Sequence, residues 1–276
     1  MASTHAFLNQ SHLLIFDLDG TLYEDTNHFD HFAYKLKDQL PKEKQEAFLN
    51  DYKRVQEGNH PLSIGKVYDA QEDIFWTWDP FTEQLSNPQS WEGKHVQSQT
   101  AETFPASTFD FERWIAIGDG WWPPYVLALH YGLPIIDCHQ AYDDTKVDMS
   151  SQEGWLTQTP GLRPFLEEIK KEKTIVLMTN SEATDVDRLL KELNLHDLFD
   201  DRITSATKPV QTSEHFHELL KRYKVKPEEA VSVGDNFMNE IAPALQYGMH
   251  AVWLTPDEPN IEHEKLHPVR SLTDIL

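Results

Sequence analysis

Four short apolar runs constrain this chain most, because each stops abruptly at polar residues. Leu13-Leu14-Ile15-Phe16 ends in Asp17-Leu18-Asp19-Gly20-Thr21. Thr174-Ile175-Val176-Leu177-Met178 ends in Thr179-Asn180-Ser181, Ala230-Val231-Ser232-Val233 in Gly234-Asp235-Asn236, and Ala251-Val252-Trp253-Leu254 in Thr255-Pro256. Apolar runs this short, bounded by turn formers, predict buried strands. Helical spacing fills the intervals: Leu162, Phe165, Leu166 and Ile169; Val186, Leu189, Leu190 and Leu193; Phe216, Leu219, Leu220 and Tyr223. Strands alternating with helices predict an α/β fold with a Rossmann-like parallel sheet. Ligands of such sheets bind beyond the carboxyl ends of the strands, where all of these polar clusters fall.

The first strand stands apart from its mates. Between Tyr23 and Trp155 the rhythm changes, which predicts an inserted domain. The expected division is a core of residues 1–22 and 156–276 with a mainly α-helical insertion over 23–155. Phe29, Phe32, Ala33, Leu36 and Leu40 mark one helix, stopped by Pro41; Ala47, Phe48, Tyr52 and Val55 mark a second. A third runs from Pro124 to Tyr131, with Gly132 as its stop. The polar, weakly periodic stretch from Pro80 to Asp110 reads as an irregular excursion. The insertion is rich in tryptophan, and Trp76, Trp78, Trp91, Trp114, Trp121 and Trp122 read best as its own core. Gly118-Asp119-Gly120 reads as a turn before the third helix.

Composition narrows the function. A chain of 276 residues, 39% hydrophobic, can build one large domain or two modest ones. Its formal charge of −22 disfavours nucleic acid and anionic membrane partners. No stretch approaches the roughly 20 apolar residues of a membrane span. The polar segment from Met1 to Gln10 lacks the pattern of a secretory signal, and a single cysteine, Cys138, rules out an internal disulfide. The expected location is the cytoplasm.

Asp17 and Asp19 flank one residue at the end of the first strand, so their side chains share a face to a first approximation. Two adjacent carboxylates resist joint ionisation unless a cation or proton relieves them, and Mg²⁺ suits hard oxygen ligands. Taken singly, the other clusters have plainer readings. Thr179-Asn180-Ser181 can cap a helix, Lys208 can be a solvated charge, and Asp235-Asn236 can be a turn.

Together, the clusters resemble the four motifs of the haloacid dehalogenase superfamily. Asp17-Leu18-Asp19-Gly20-Thr21 is similar to the first, Thr179 to the second, Lys208-Pro209 to the third, and Gly234-Asp235-Asn236 with Glu240 to the fourth. The insertion after the first motif resembles the type 1 helical cap of the phosphatase branch, which closes over the site and selects substrate. The resemblance implies a Mg²⁺-dependent hydrolase of small phosphomonoesters that works through an aspartyl-phosphate. It implies Asp17 as nucleophile and metal ligand, and Asp19 as acid and base, with its backbone carbonyl on the metal. Asp235 would be a further ligand, with Asn236 and Glu240 around the ligand set. Thr179, the backbone N–H of Asn180, and Lys208 would bind the phosphoryl group. Asp19 favours phosphate transfer over dehalogenation, because a halide leaves without a proton and an alkoxide does not. Two positions depart from the family pattern: Glu240 stands where a second Asp is usual, and Ser205-Ala206-Thr207 precedes the lysine without the usual glycine. The alternatives are a phosphoryl-group mutase with the same chemistry and a non-catalytic binding protein on the same fold. His263-Glu264-Lys265-Leu266-His267 matches a zinc-peptidase pattern, but Pro268 follows at once and no third ligand is spaced correctly.

Overall fold

A computed structural model describes residues 6–98, 103–151, 155–256, 258 and 261–276. The N-terminal reading above rests partly on residues 1–5, and the excursion partly on residues 99–102, which lie outside the described residues. The chain divides into two compact units, Met1–Asp25 with Leu156–Leu276, and Thr26–Trp155.

The first unit holds a six-stranded parallel sheet. Its strands are β1 (Leu13–Phe16), β6 (Thr174–Met178), β7 (Asp201–Ile203), β8 (Ala230–Gly234), β9 (His250–Leu254) and β10 (Leu266–Val269), in the order β10-β9-β8-β1-β6-β7. Every adjacent pair is parallel. Helices α1 (Ala6–Gln10), α6 (Leu162–Ile169), α7 (Ala183–Glu192), α8 (Thr212–Tyr223) and α9 (Ala242–Gln246) belong to this unit. All four β1 side chains are buried, which explains why the strand reads as an unbroken apolar run and not as an alternation. Each such side chain contributes roughly 1.5–3 kcal/mol by leaving water. Leu13, Ile15, Val176, Met178, Phe216, Leu219 and Ile241 share one core.

The second unit contains α2 (Asn27–Gln39), α3 (Lys42–Gln56), α4 (Trp122–His130) and α5 (Ile135–Ser151). It also contains a four-stranded antiparallel sheet of order β4-β3-β2-β5, built from β2 (Lys66–Asp69), β3 (Ile74–Asp79), β4 (Gln84–Ser90) and β5 (Trp114–Ile117). Helices thus provide most of its regular structure, but the supposedly irregular excursion includes strand β4, hydrogen-bonded to β3. Strand β4 escapes pattern reading because only Leu85 on it is buried. Trp76, Trp78, Trp91, Trp114 and Trp121 are all buried within this unit. Trp78 donates its indole N–H to the Phe104 carbonyl (2.9 Å) and Trp91 to Asp51 Oδ2 (3.0 Å). Asp119 accepts from the Trp121 N–H (3.0 Å), the turn expected before α4. No helix among the described residues is long and apolar enough to cross a membrane.

Candidate active site

Strand register decides where the polar clusters meet. Phe16 lies level with Leu177 on β6 and with Val233 on β8. The residues that follow, Asp17, Met178 and Gly234, therefore emerge side by side at the carboxyl edge of the sheet. The Asp17 N–H donates to the Val233 carbonyl (2.9 Å), and the Thr179 N–H to the Ile203 carbonyl at the end of β7 (2.9 Å).

Lys208 reaches this edge from the loop after β7. Its ammonium lies 2.8 Å from Asp17 Oδ1, 2.5 Å from Glu240 Oε1 and 3.0 Å from the Met178 carbonyl. Lys208 is only 2% exposed, and an ammonium so buried persists only when paired. Burial opposes its charge, but Asp17 and Glu240 outweigh burial and hold its pKa above the ordinary lysine value. Burial also pushes the Asp17 carboxyl upward; Lys208 pulls it down, nearby Asp19 pushes it up again, and the net direction is upward. Acid and base are thus packed together in one buried, mutually perturbed cluster.

The same edge carries oxygens that could hold a metal ion. Asp17, Asp235 and Glu240 each present a carboxylate oxygen, all within 4.8 Å of one another. An all-oxygen set suits a hard divalent ion. Two glycines make the cluster possible. A Cβ on Gly20, at φ +72°, would stand 2.3 Å from Asp235 Oδ2, and one on Gly234 would stand 2.8 Å from Glu240 Oε2. Glu240 Oε2 accepts the Asn236 N–H (3.1 Å) while its Oε1 faces Lys208. Asn236 Oδ1 caps the short π-helical turn Phe237–Ile241 by accepting from Met238 N–H (3.2 Å) and Asn239 N–H (3.1 Å).

Two hydroxyls hold the Asp19 side chain. Its Oδ1 accepts from the Tyr23 hydroxyl (2.5 Å) and its Oδ2 from the Ser181 hydroxyl (2.9 Å). Thr179 Oγ1 accepts from the Ser181 N–H (3.1 Å), a bond that leaves the hydroxyl proton available to another acceptor. The cluster Thr179-Asn180-Ser181 does not cap α7, whose N-cap is Glu182.

A model of the haloacid dehalogenase-like hydrolases matches residues 12–248. The chain belongs to this hydrolase family. Among curated relatives, the glyceraldehyde 3-phosphate phosphatase of Pyrococcus furiosus is 32% identical over 117 residues, 41% of this chain and 46% of that protein. Haloacid dehalogenase-like hydrolase domain-containing protein 3 of Xenopus laevis is 28% identical over 114 residues, again 41% of this chain and 46% of that protein. The chain thus spans about half the length of the curated relatives it matches. Solved structures share its fold: a magnesium-bound HAD-hydrolase of Bacillus subtilis has a TM-score of 0.56 at 15% identity, covering 96% of both chains. A HAD phosphatase of Thermococcus onnurineus has a TM-score of 0.53 at 18% identity, covering 96% of this chain and 95% of that one.

Within this haloacid dehalogenase-like chain, sequence reasoning overlooked three partners of the clustered side chains. They are the Tyr23 hydroxyl, the Ser181 hydroxyl and the Met178 carbonyl. Only Tyr23 left a local signal, lying four residues beyond Asp19; the Met178 contact depends on where a distant loop delivers Lys208. The zinc-peptidase pattern lacks its helix. His267 lies on β10 with its Nε2 3.1 Å from His250 Nδ1, whereas the His263 Nδ1 accepts the Lys265 N–H (3.2 Å).

Proposed function

We propose that this chain is a Mg²⁺-dependent phosphatase of small phosphomonoesters that works through an aspartyl-phosphate on Asp17. The observation that carries the reading is the set of buried Asp17, Glu240 and Lys208 with half-buried Asp235 at the carboxyl edge of the sheet. Asp19, two residues beyond Asp17, completes it. Asp17 attacks phosphorus, and the bond to the leaving oxygen breaks. Asp19 gives that oxygen its proton, then takes one from the water that cleaves the acyl phosphate. Lys208 offsets charge shared by Asp17 and the phosphoryl group. Thr179 donates its hydroxyl proton to a phosphoryl oxygen, beside the backbone N–H of Asn180. Asp17, Asp235 and the Asp19 carbonyl are the protein ligands proposed for Mg²⁺, with Glu240 and Asn236 supporting them. When bound there, the ion would supply the charge neutralisation that lets an anionic nucleophile approach an anionic substrate. The unit Thr26–Trp155 serves as the cap.

Three further points support the substrate class. The Pyrococcus relative is named for a small sugar phosphate. Asp19 provides the acid that an alkoxide leaving group requires. The charge of −22 lowers encounter with polyanions. The decisive experiment is a phosphate-release screen over sugar phosphates and nucleoside monophosphates with Mg²⁺. Release that disappears with chelator and in Asp17→Asn is expected. Turnover that survives both would overturn the mechanism.

A further inference from the structure

The position of Lys208 is unusual in how its backbone is held. Strand β7 ends at Ile203, and the following loop runs back along the end of β6. The Ser205 N–H donates to the Ser181 carbonyl and the Ala206 N–H to the Thr179 carbonyl, both at 3.0 Å. At Lys208 this backbone pairing stops and one side chain takes over. Asn180 Oδ1 accepts the Lys208 N–H at 2.7 Å, and Asn180 Nδ2 donates to the Lys208 carbonyl at 3.0 Å. A single primary amide thus meets the donor and the acceptor of one residue, as a neighbouring strand would.

The loop needs such a hold. Ser205 and Thr207 adopt φ of +48° and +53° without being glycine, a conformation that side chains disfavour and that persists only where surroundings impose it. Lys208 must also deliver its ammonium into a slot whose three acceptors lie just after β1, on β6 and in the turn after β8. Its flexible stem has many rotamers, so the slot is reached only if the Cα is fixed first. Asn180 is exposed, so the bulk of its side chain fills no core, and its contribution is the geometry of those two hydrogen bonds.

We propose that the Asn180 side chain is the positioning residue for Lys208, clamping its backbone so that the ammonium meets Asp17 and the transferring phosphoryl group. This rests on the phosphatase reading above and adds a role for the side chain to the one its backbone N–H has there. The clamp acts through Lys208, so it predicts non-additivity.

The test is a double-mutant cycle of Asn180→Ala and Lys208→Met, with kcat and KM measured on an aryl phosphate with Mg²⁺. Asn180→Ala alone is expected to lower kcat by about 10–100-fold with KM changed less than about threefold. In the Lys208→Met background the same substitution is expected to change kcat by less than about twofold. Equal losses in both backgrounds would overturn the proposal, and so would a tenfold rise in KM at unchanged kcat, which marks direct substrate contact. Asn180→Asp keeps the acceptor for the Lys208 N–H and loses the donor to its carbonyl, so it should fall between wild type and Asn180→Ala. If Asn180→Ala does not fold, the cycle with Asn180→Asp decides by the same criterion.

A second readout needs no turnover. Reductive methylation followed by peptide mass spectrometry should leave Lys208 unmodified in the wild type and modified in Asn180→Ala. Unchanged protection sinks the clamp even if the enzyme proves to be a phosphatase. Exposure of Lys208 in a chain that releases no phosphate from any substrate sinks the functional reading and leaves the clamp standing.

Discussion

The two units bury charge in different ways. In Thr26–Trp155, fully buried Asp69 takes a two-pronged bond from Arg113, Nε to Oδ1 at 3.1 Å and one terminal nitrogen to Oδ2 at 2.9 Å. Asp51 accepts from the Trp91 indole (3.0 Å), the Tyr131 hydroxyl (2.7 Å) and Arg54 (2.9 Å). Burial opposes its charge, yet these bonds hold its pKa below the ordinary carboxylate value. Each of these acids is answered by donors, and the result is a rigid aromatic core. In the other unit, Lys208 pairs with both Asp17 and Glu240, and Asp235 brings a further carboxylate oxygen within 4.8 Å of theirs at the edge of the parallel sheet. The comparison teaches that buried charge alone does not mark a chemical site. Carboxylate oxygens gathered within reach of one ion, beside a buried ammonium, do.

The widest separation between the units should come from Asp17→Asn. Phosphate release should fall at least about a thousandfold, roughly 4 kcal/mol of barrier, with the fold intact by circular dichroism. Asp51→Ala should do the opposite. It leaves the Trp91 and Tyr131 donors without their acceptor, costing about 3 kcal/mol of stability in thermal or urea melts. Turnover per folded molecule on an aryl phosphate should stay within about threefold of wild type. A large loss of turnover at full stability would erase the distinction between the units.

Legibility in sequence divides along similar lines. Asp17, Thr179 and Asp235 could be read because each follows an apolar run, and a parallel sheet brings the ends of such runs to one edge. Helices α2 and α3 could be read from their periodic apolar faces. Helix α5 was not foreseen, since exposed Ile136 and Val147 blur its pattern, and β4 is almost wholly polar. The Asn180 amide and the Tyr23 hydroxyl were illegible as partners, because their bonds to Lys208 and Asp19 depend on tertiary placement. The missing loop glycine was noticed, but only the structure shows Ser205 and Thr207 taking up the left-handed backbone themselves.

Two smaller effects sharpen the contrast. Added Mg²⁺ should stabilise the wild type by about 2.7 kcal/mol at a hundredfold excess over its Kd. Asp17→Asn should show a markedly smaller shift in Tm, whereas Asp51→Ala should respond like wild type. The smallest effect concerns His60, which burial holds down to about 4 from 6.5 despite the attraction of Asp51. The ring is neutral in the fold, and the unfolded chain takes up a proton first as pH falls. Its contribution is therefore complete above pH 6.5 and lost progressively toward pH 4. That loss amounts to about 2 kcal/mol between pH 7 and pH 5, and His60→Asn should flatten this slope in pH-dependent melts. An unchanged slope would show that His60 titrates freely in the folded chain.

The central place of β1 has a consequence for how the molecule is made. The strand is synthesised well before its neighbours β6 and β8, which begin only at Thr174 and Ala230. Pairings this distant in sequence are slow, because a long loop must close before any contact rewards it. The unit Thr26–Trp155 is continuous, so it can fold while the rest is still being translated. Its two ends lead into residues that bond directly, the Thr157 N–H to Asp25 Oδ2 at 2.6 Å and the Thr159 hydroxyl to the Leu22 carbonyl at 3.0 Å. Once folded, the insertion leaves only residues 17–25 and 156–173 as linker between β1 and β6. The segment that delays completion of the sheet thereby also acts as the splint on which it is assembled.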